Sequence, residues 1–259
     1  MADFTLSLTQ MDEWLCRGIW GVTRLGSALM IMPLTGDLVP ATLRLVIAIA
    51  LVLPIFPTIT LPQPGITAFS ADAVFITAGE LLTGLVLGFI PALYLSLFAL
   101  AGNLVAMQMG LGMAQLNDPV GGISVPALSH FYQFGALTLF IAMNGHGVVF
   151  SILLESYQTL PAGSFTPLQS LLPTLVKQAA WLFSAGLLLA LPAIFSLLIV
   201  SLALGFLTRA APQLNMMSIG FPATLLAGLI ILLITSHRFA DAVSRYTTEA
   251  LIMMRQLTG

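Results

Sequence analysis

The sequence predicts an all-α protein of the integral-membrane type, and three observations carry that reading. Hydrophobic residues fill 58% of the 259 positions and charged residues only 7%, where soluble domains carry roughly 25% charged residues. The mean hydropathy is +1.03. Between Glu80 and Asp118 the chain runs through positions 81–117, 37 residues, without a formal charge. A helix needs roughly 20 residues to cross a bilayer, so about half of that run must bend, re-enter or be shielded by protein.

Six hydrophobic helical segments follow one another at 14–32, 45–61, 74–111, 128–154, 178–208 and 214–236. The separators at 33–40, 61–67, 117–126 and 160–167 are short and rich in Pro and Gly, too small for a soluble domain. The first segment is preceded by Asp3, Asp12 and Glu13 rather than by a basic stretch, so it is expected to stay in the mature chain. It holds Arg17, Arg24 and the single cysteine, Cys16, which reads as a small buried apolar residue without a second thiol for a disulfide or zinc site. Pro91, Pro192 and Pro222 fall inside the third, fifth and sixth segments, where each removes a backbone hydrogen bond, so kinked or broken helices are expected. After Ser236, Phe239, Val243, Tyr246, Ala250, Met253 and Leu257 recur at threes and fours beside the alternating charges Asp241, Arg245 and Glu249. That pattern predicts a surface amphipathic helix lying on the membrane or on a partner. Counting Lys177, Arg238, Arg245 and Arg255 against Arg44 and Arg209 favours both termini inside.

The densest functional signal lies at the end of the third segment. Gly102, Ala106, Gly110 and Ala114 stand at steps of four, as do Gly84 and Gly88 earlier, so another backbone can come close. Simple helix packing and a crowded centre where several chains converge both account for such a stripe. The remaining positions favour the second: Met107, Met109 and Met113 alternate with Gln108, Gln115 and Asn117. Flexible thioethers can fill irregular gaps and move aside, and an apolar constriction excludes ions by making water unfavourable inside it. Either these methionines merely fill the core, or a deformable seal is expected along Met107, Gln108, Met109, Gly110, Leu111, Gly112, Met113, Ala114, Gln115, Leu116, Asn117, Asp118 and Pro119. Asp118 before Pro119, with Gly121 and Gly122 after it, reads as a helix stop and reversal.

Other chemistries find little support. A net charge of -2 and scattered cations give no case for nucleic acid. His130 and His146 have no ligand partner at metal spacing, N-G-H at 144–146 reads as a helix interruption, and no cofactor or catalytic motif is recognisable, so no enzyme is expected. G-L-G at 110–112 lacks the lysine and strand of a phosphate loop. Glu80 is the one acidic residue well inside an apolar segment, without a basic residue three or four positions away. It stands either as a proton or cation site or near the interface. The alternative function is thus a secondary transporter or proton-coupled permease using Glu80, in which Glu80→Gln should abolish activity, whereas a gate should keep most secretion.

Several motifs resemble the FliR family of flagellar export-gate proteins and its type III secretion relatives. They are E-L-L-T-G-L-V-L-G-F at 80–89, Q-M-G-L-G-M-A-Q-L-N-D-P at 108–119, N-G-H, T-L-P-A-G at 159–163, L-A-L-P at 189–192 and S-L-A-L-G-F-L-T-R-A-A-P-Q-L-N-M-M-S-I-G-F-P at 201–222. The resemblance implies a FliP-like part over 1–175, with a plug loop at about 107–122, and a FliQ-like hairpin with a C-terminal amphipathic helix over 176–259. It implies assembly with FliP and FliQ into a pore for unfolded export substrates, contact with FlhB and FlhA, and a cytoplasmic-side turn at Arg209, Pro212 and Gln213. Close helix packing would fall on Gly84, Gly88, Gly102 and Ala106. The implied place is the bacterial inner membrane at the flagellar basal body, with extension toward the periplasm open, as is the choice between flagellar and virulence-associated secretion. Asn103, where relatives often carry an acid, and Ser201, where asparagine is common, depart from the pattern and argue against a proton relay there.

Overall fold

The computed structural model describes residues 8–33, 39–62, 67–68, 70–111, 127–164, 168–210 and 216–258. They form α1 (Leu8–Ile31), α2 (Ala41–Ile55) with a short 3-10 turn at Phe56–Thr58, α3 (Ala71–Gln108), α4 (Ala127–Ala142), α5 (Gly145–Thr159), α6 (Leu168–Ala210) and α7 (Met216–Thr258), with no strand among them. Among the described residues four helices are long and apolar enough to cross a membrane, or five when the pair α4 and α5 counts as one span. This is an all-α membrane protein.

Of the two outcomes expected at the prolines, a kinked or a broken helix, the broken one does not occur. Pro91 lies within α3, Pro192 within α6 and Pro222 within α7, and none of these helices is interrupted there. In an apolar setting the neighbouring backbone bonds cannot be exchanged for bonds to water, so a long helix gives up one bond rather than unwinding. The break falls instead at Asn144, between α4 and α5, where the sequence reads N-G-H-G. Asn144 has φ 57° and is the one non-glycine with positive φ among the described residues. A short polar side chain tolerates that left-handed conformation. Its carbonyl accepts the amides of Gly147 at 3.1 Å and Val148 at 3.3 Å, which starts α5.

The chain divides into two compact units. The first comprises Met1–Leu93, Asn144–Gln178 and Glu249–Gly259. Cys16, Trp20, Arg24 and Ala28, at steps of four, form the buried face of α1 together with Leu25 and Leu29. Helix α3 lies directly on that face because it offers glycines. A Cβ at Gly84 would run into the carbonyl oxygen of Arg24 and Oγ of Ser27, and one at Gly88 would stand 2.8 Å from Cα of Ala28. Helix α5 adds the buried Val149, Ile152, Leu153 and Tyr157. The Tyr157 hydroxyl donates to the Gly21 carbonyl at 2.7 Å.

The second unit comprises Tyr94–Met143 and Ala179–Thr248. Its core is aromatic: Tyr94 meets Phe98 and Phe140 at 5.2 Å, Phe98 meets Phe239 at 5.7 Å, and Tyr132 meets Phe239 at 5.2 Å. Gly102 lets α4 approach α3, a Cβ there falling 2.7 Å from Cα of Ser129, while Ser129 Oγ donates to the Ala99 carbonyl at 2.6 Å. The segment after Ser236 requires a correction. It is not a separate surface helix but the continuation of α7, and its Val243, Tyr246 and Thr247 are buried in this chain's own core. Thr247 Oγ1 donates to the Tyr94 hydroxyl at 2.9 Å. The polar cluster Ser236, His237 and Arg238 contains no helix breaker, so a drop in hydropathy there marks a change of surroundings rather than an end.

Candidate functional site

Two arrangements stand out, one in each unit. In the first, Glu80 is 3% exposed and faces Arg24, which is 1% exposed. Arg24 Nε donates to Glu80 Oε2 at 2.6 Å and Nη2 to Oε1 at 3.0 Å, the two-pronged match that guanidinium and carboxylate geometry allow. Nη1 donates to the carbonyl and hydroxyl of Ser156, Nη2 also to the Leu160 carbonyl, and the guanidinium lies 4.4 Å over the Tyr157 ring. All five N–H donors of the arginine are thereby used. The Gly163 amide donates to Glu80 Oε1 at 3.4 Å.

Glu80 is thus one half of a buried ion pair rather than a lone carboxylate, its partner coming from another helix. A cavity of about 370 Å³ opens beside it, lined mostly by apolar residues such as Phe75, Ile76 and Leu82, but both carboxylate oxygens are taken by Arg24. The permease alternative had assumed a carboxylate without a basic partner. The signal was present in the sequence: two opposite charges, each embedded in an apolar segment, are expected to find one another across helices. The two residues lie on different helices, 56 positions apart, so no spacing along one helix connects them.

In the second unit, α3 ends where the plug and seal is expected. Met107 points outward at 61% exposure, Gln108 is half-buried, and Met109 is 2% exposed. Gly110 turns the chain with φ 85°, its amide bonded to the Met107 carbonyl at 3.1 Å, a helix ending that glycine favours. Leu111 is half-buried. Gly112, Met113, Ala114, Gln115, Leu116, Asn117, Asp118 and Pro119 lie outside the described residues.

The small-residue positions pack within this chain: Gly84 and Gly88 receive α1, Gly102 receives α4, and Ala106 is fully buried. Arg209 is exposed in the last turn of α6, while Pro212 and Gln213 lie outside the described residues. Among the described residues no group of three or more His, Cys, Asp or Glu could hold a metal ion. Cys16 sits in a buried cluster with Trp20, Ala73 and Ala162. Burial there, with Asp12 adding to it, raises its thiol pKa.

Comparison with known proteins supplies the rest. Residues 15–250 match the family described as bacterial export proteins, family 1. The chain is 34% identical to the flagellar biosynthetic protein FliR of Escherichia coli (strain K12), over 86% of this chain and 85% of that one. It is 33% identical to FliR of Pectobacterium carotovorum subsp. carotovorum, over 88% and 87% of the two chains, and 30% identical to FliR of Aquifex aeolicus (strain VF5), over 86% of each. A match of this extent, on an all-α membrane fold, places the chain among the bacterial export proteins of family 1, the family of the flagellar biosynthetic protein FliR.

Proposed function

We propose that this chain is the FliR-type subunit of a flagellar protein-export gate in the bacterial inner membrane. It assembles with FliP and FliQ into a pore for unfolded export substrates, meets FlhB and FlhA, and contributes residues 107–119 as the element that keeps the pore closed. The observation that carries the reading is the end of α3. There an outward Met107 and an inward Met109 stand on either side of Gln108, the last residue of α3, and Gly110 follows with φ 85° at the start of the Gly, Met and Gln segment. Thioethers beside glycines make a seal that can deform without a fixed rotamer, and an apolar constriction holds back ions while it stays dry. Arg209, exposed at the end of α6, supports the turn at 209–213 as a contact for the cytoplasmic partners.

The deciding experiment removes residues 110–116 and measures ion flux through the assembled complex. Permeability should rise while the complex remains intact. A complex that stays tight would reduce the segment to a packing element and overturn the reading. Copurification with FliP and FliQ checks the assembly itself, and a chain recovered alone and stable would count against it.

A further inference from the structure

We propose that Gly228 and Thr224 on α7 form a fixed anchor for the end of α3, holding Met109 in place where the gate segment starts. The inference rests on the gate reading for its consequence, and on geometry for the anchor. A Cβ placed on Gly228 would lie 2.5 Å from Cγ, 2.6 Å from Cε and 2.7 Å from Sδ of Met109, so the thioether lies along its length in a notch that only glycine leaves open. One turn earlier, the Thr224 hydroxyl reaches the Met109 carbonyl at 3.1 Å, sharing its single proton with the carbonyls of Gly220 and Phe221. The Met109 carbonyl stands just past the last residue of α3, where intrahelical donors run out.

Phe221 completes the contact, its ring 3.2 Å from where a Gly110 Cβ would stand. Phe221, Thr224 and Gly228 are spaced at three and four, so one face of α7 receives the end of α3. Met107, only two residues away, is 61% exposed and takes no part. The restraint is therefore local to Met109, and Gly110 is the next residue along, its φ of 85° open to glycine but strained for other side chains.

The test uses the complex assembled with FliP and FliQ, in a chain carrying Cys16→Ser and the pair Met109→Cys and Gly228→Cys. Mild oxidation should join the two cysteines, and secretion should run at the same rate oxidised as reduced, since an anchor need not release. Failure to join them, or secretion that stops on oxidation and returns with reductant, overturns the proposal. Independently, Gly228→Val should raise ion leak several-fold by expelling Met109. Thr224→Val, which adds no bulk, should give a smaller rise. An unchanged leak in both single variants also refutes the anchor. If deleting residues 110–116 leaves the complex tight, the gate reading fails, while the cysteine pair still reports whether Met109 sits at Gly228.

Discussion

Arg24 and Glu80, 56 positions apart, meet through two N–H···O contacts of 2.6 and 3.0 Å inside an apolar interior, with Ser156, Leu160 and Tyr157 taking up the rest of the guanidinium. One arginine thus ties α1 to α3, to the last turns of α5 and to the chain that follows it.

Removing one partner leaves the other charged and unpaired. Arg24→Leu should cost roughly 3–5 kcal/mol, read as loss of protein from the assembled complex and as early proteolysis. Glu80→Gln, which a gate was expected to tolerate, should instead lower the amount of assembled protein while secretion per complex and its pH profile stay unchanged. A pH profile that moves with Glu80→Gln would favour the proton-coupling alternative. The double variant Arg24→Leu/Glu80→Leu should be milder than either single change, because no buried charge is orphaned.

Gly84→Ala should destabilise the complex, since its methyl group would press on the Arg24 carbonyl and Ser27. Overpacking of this kind costs about 1–3 kcal/mol. Gly26→Ala is the control, as nothing lies within 4 Å of a Cβ there, and it should be neutral or stabilising by up to about 1 kcal/mol. Thermal aggregation of the purified complex ranks the two, and equal midpoints would refute the close approach of α1 and α3.

Asn144→Val should cost about 1–3 kcal/mol, because a β-branched residue is strained at φ 57°. Asn144→Gly should be close to neutral. Protease resistance of the complex measures both, and a harmless valine would mean that the break between α4 and α5 lies elsewhere.

Cys16 should resist alkylation in native membranes near neutral pH. Burial raises its thiol pKa, helped by Asp12, so the thiolate fraction is below that of a free thiol and grows only as pH rises. N-ethylmaleimide labelling against pH, in folded and denatured protein, reads this directly; rapid neutral labelling of the folded chain would contradict the buried cluster.

Much of the fold was legible because hydropathy and helix length are both local. The segment expected at 74–111 is α3 at Ala71–Gln108, and N-G-H marked a true interruption. The errors share one cause: hydropathy reports surroundings, not helicity. Helix α6 begins at Leu168, ten residues before the apolar run at 178–208, and α7 passes through Ser236 without a break. Pairing across elements was invisible in the same way. Neither Arg24 with Glu80 nor Met109 with Gly228 can be found by spacing along one helix, although each of the four residues carried a hint in its type. The small-residue positions Gly84, Gly88 and Gly102 were legible as places of close approach, but not which helix would arrive.

Helix α6 has 43 residues, about 65 Å of rod at 1.5 Å per residue, roughly twice the hydrocarbon thickness of a bilayer. Large apolar side chains stand exposed along it from Val176 and Phe183 through Phe195 and Ile199 to Phe206 and Leu207. From 176 to 207 that is about 47 Å of oily rod, more than a detergent belt of ordinary height conceals. A copy on its own therefore carries along this helix a greater oily length than the thickness of one hydrocarbon layer.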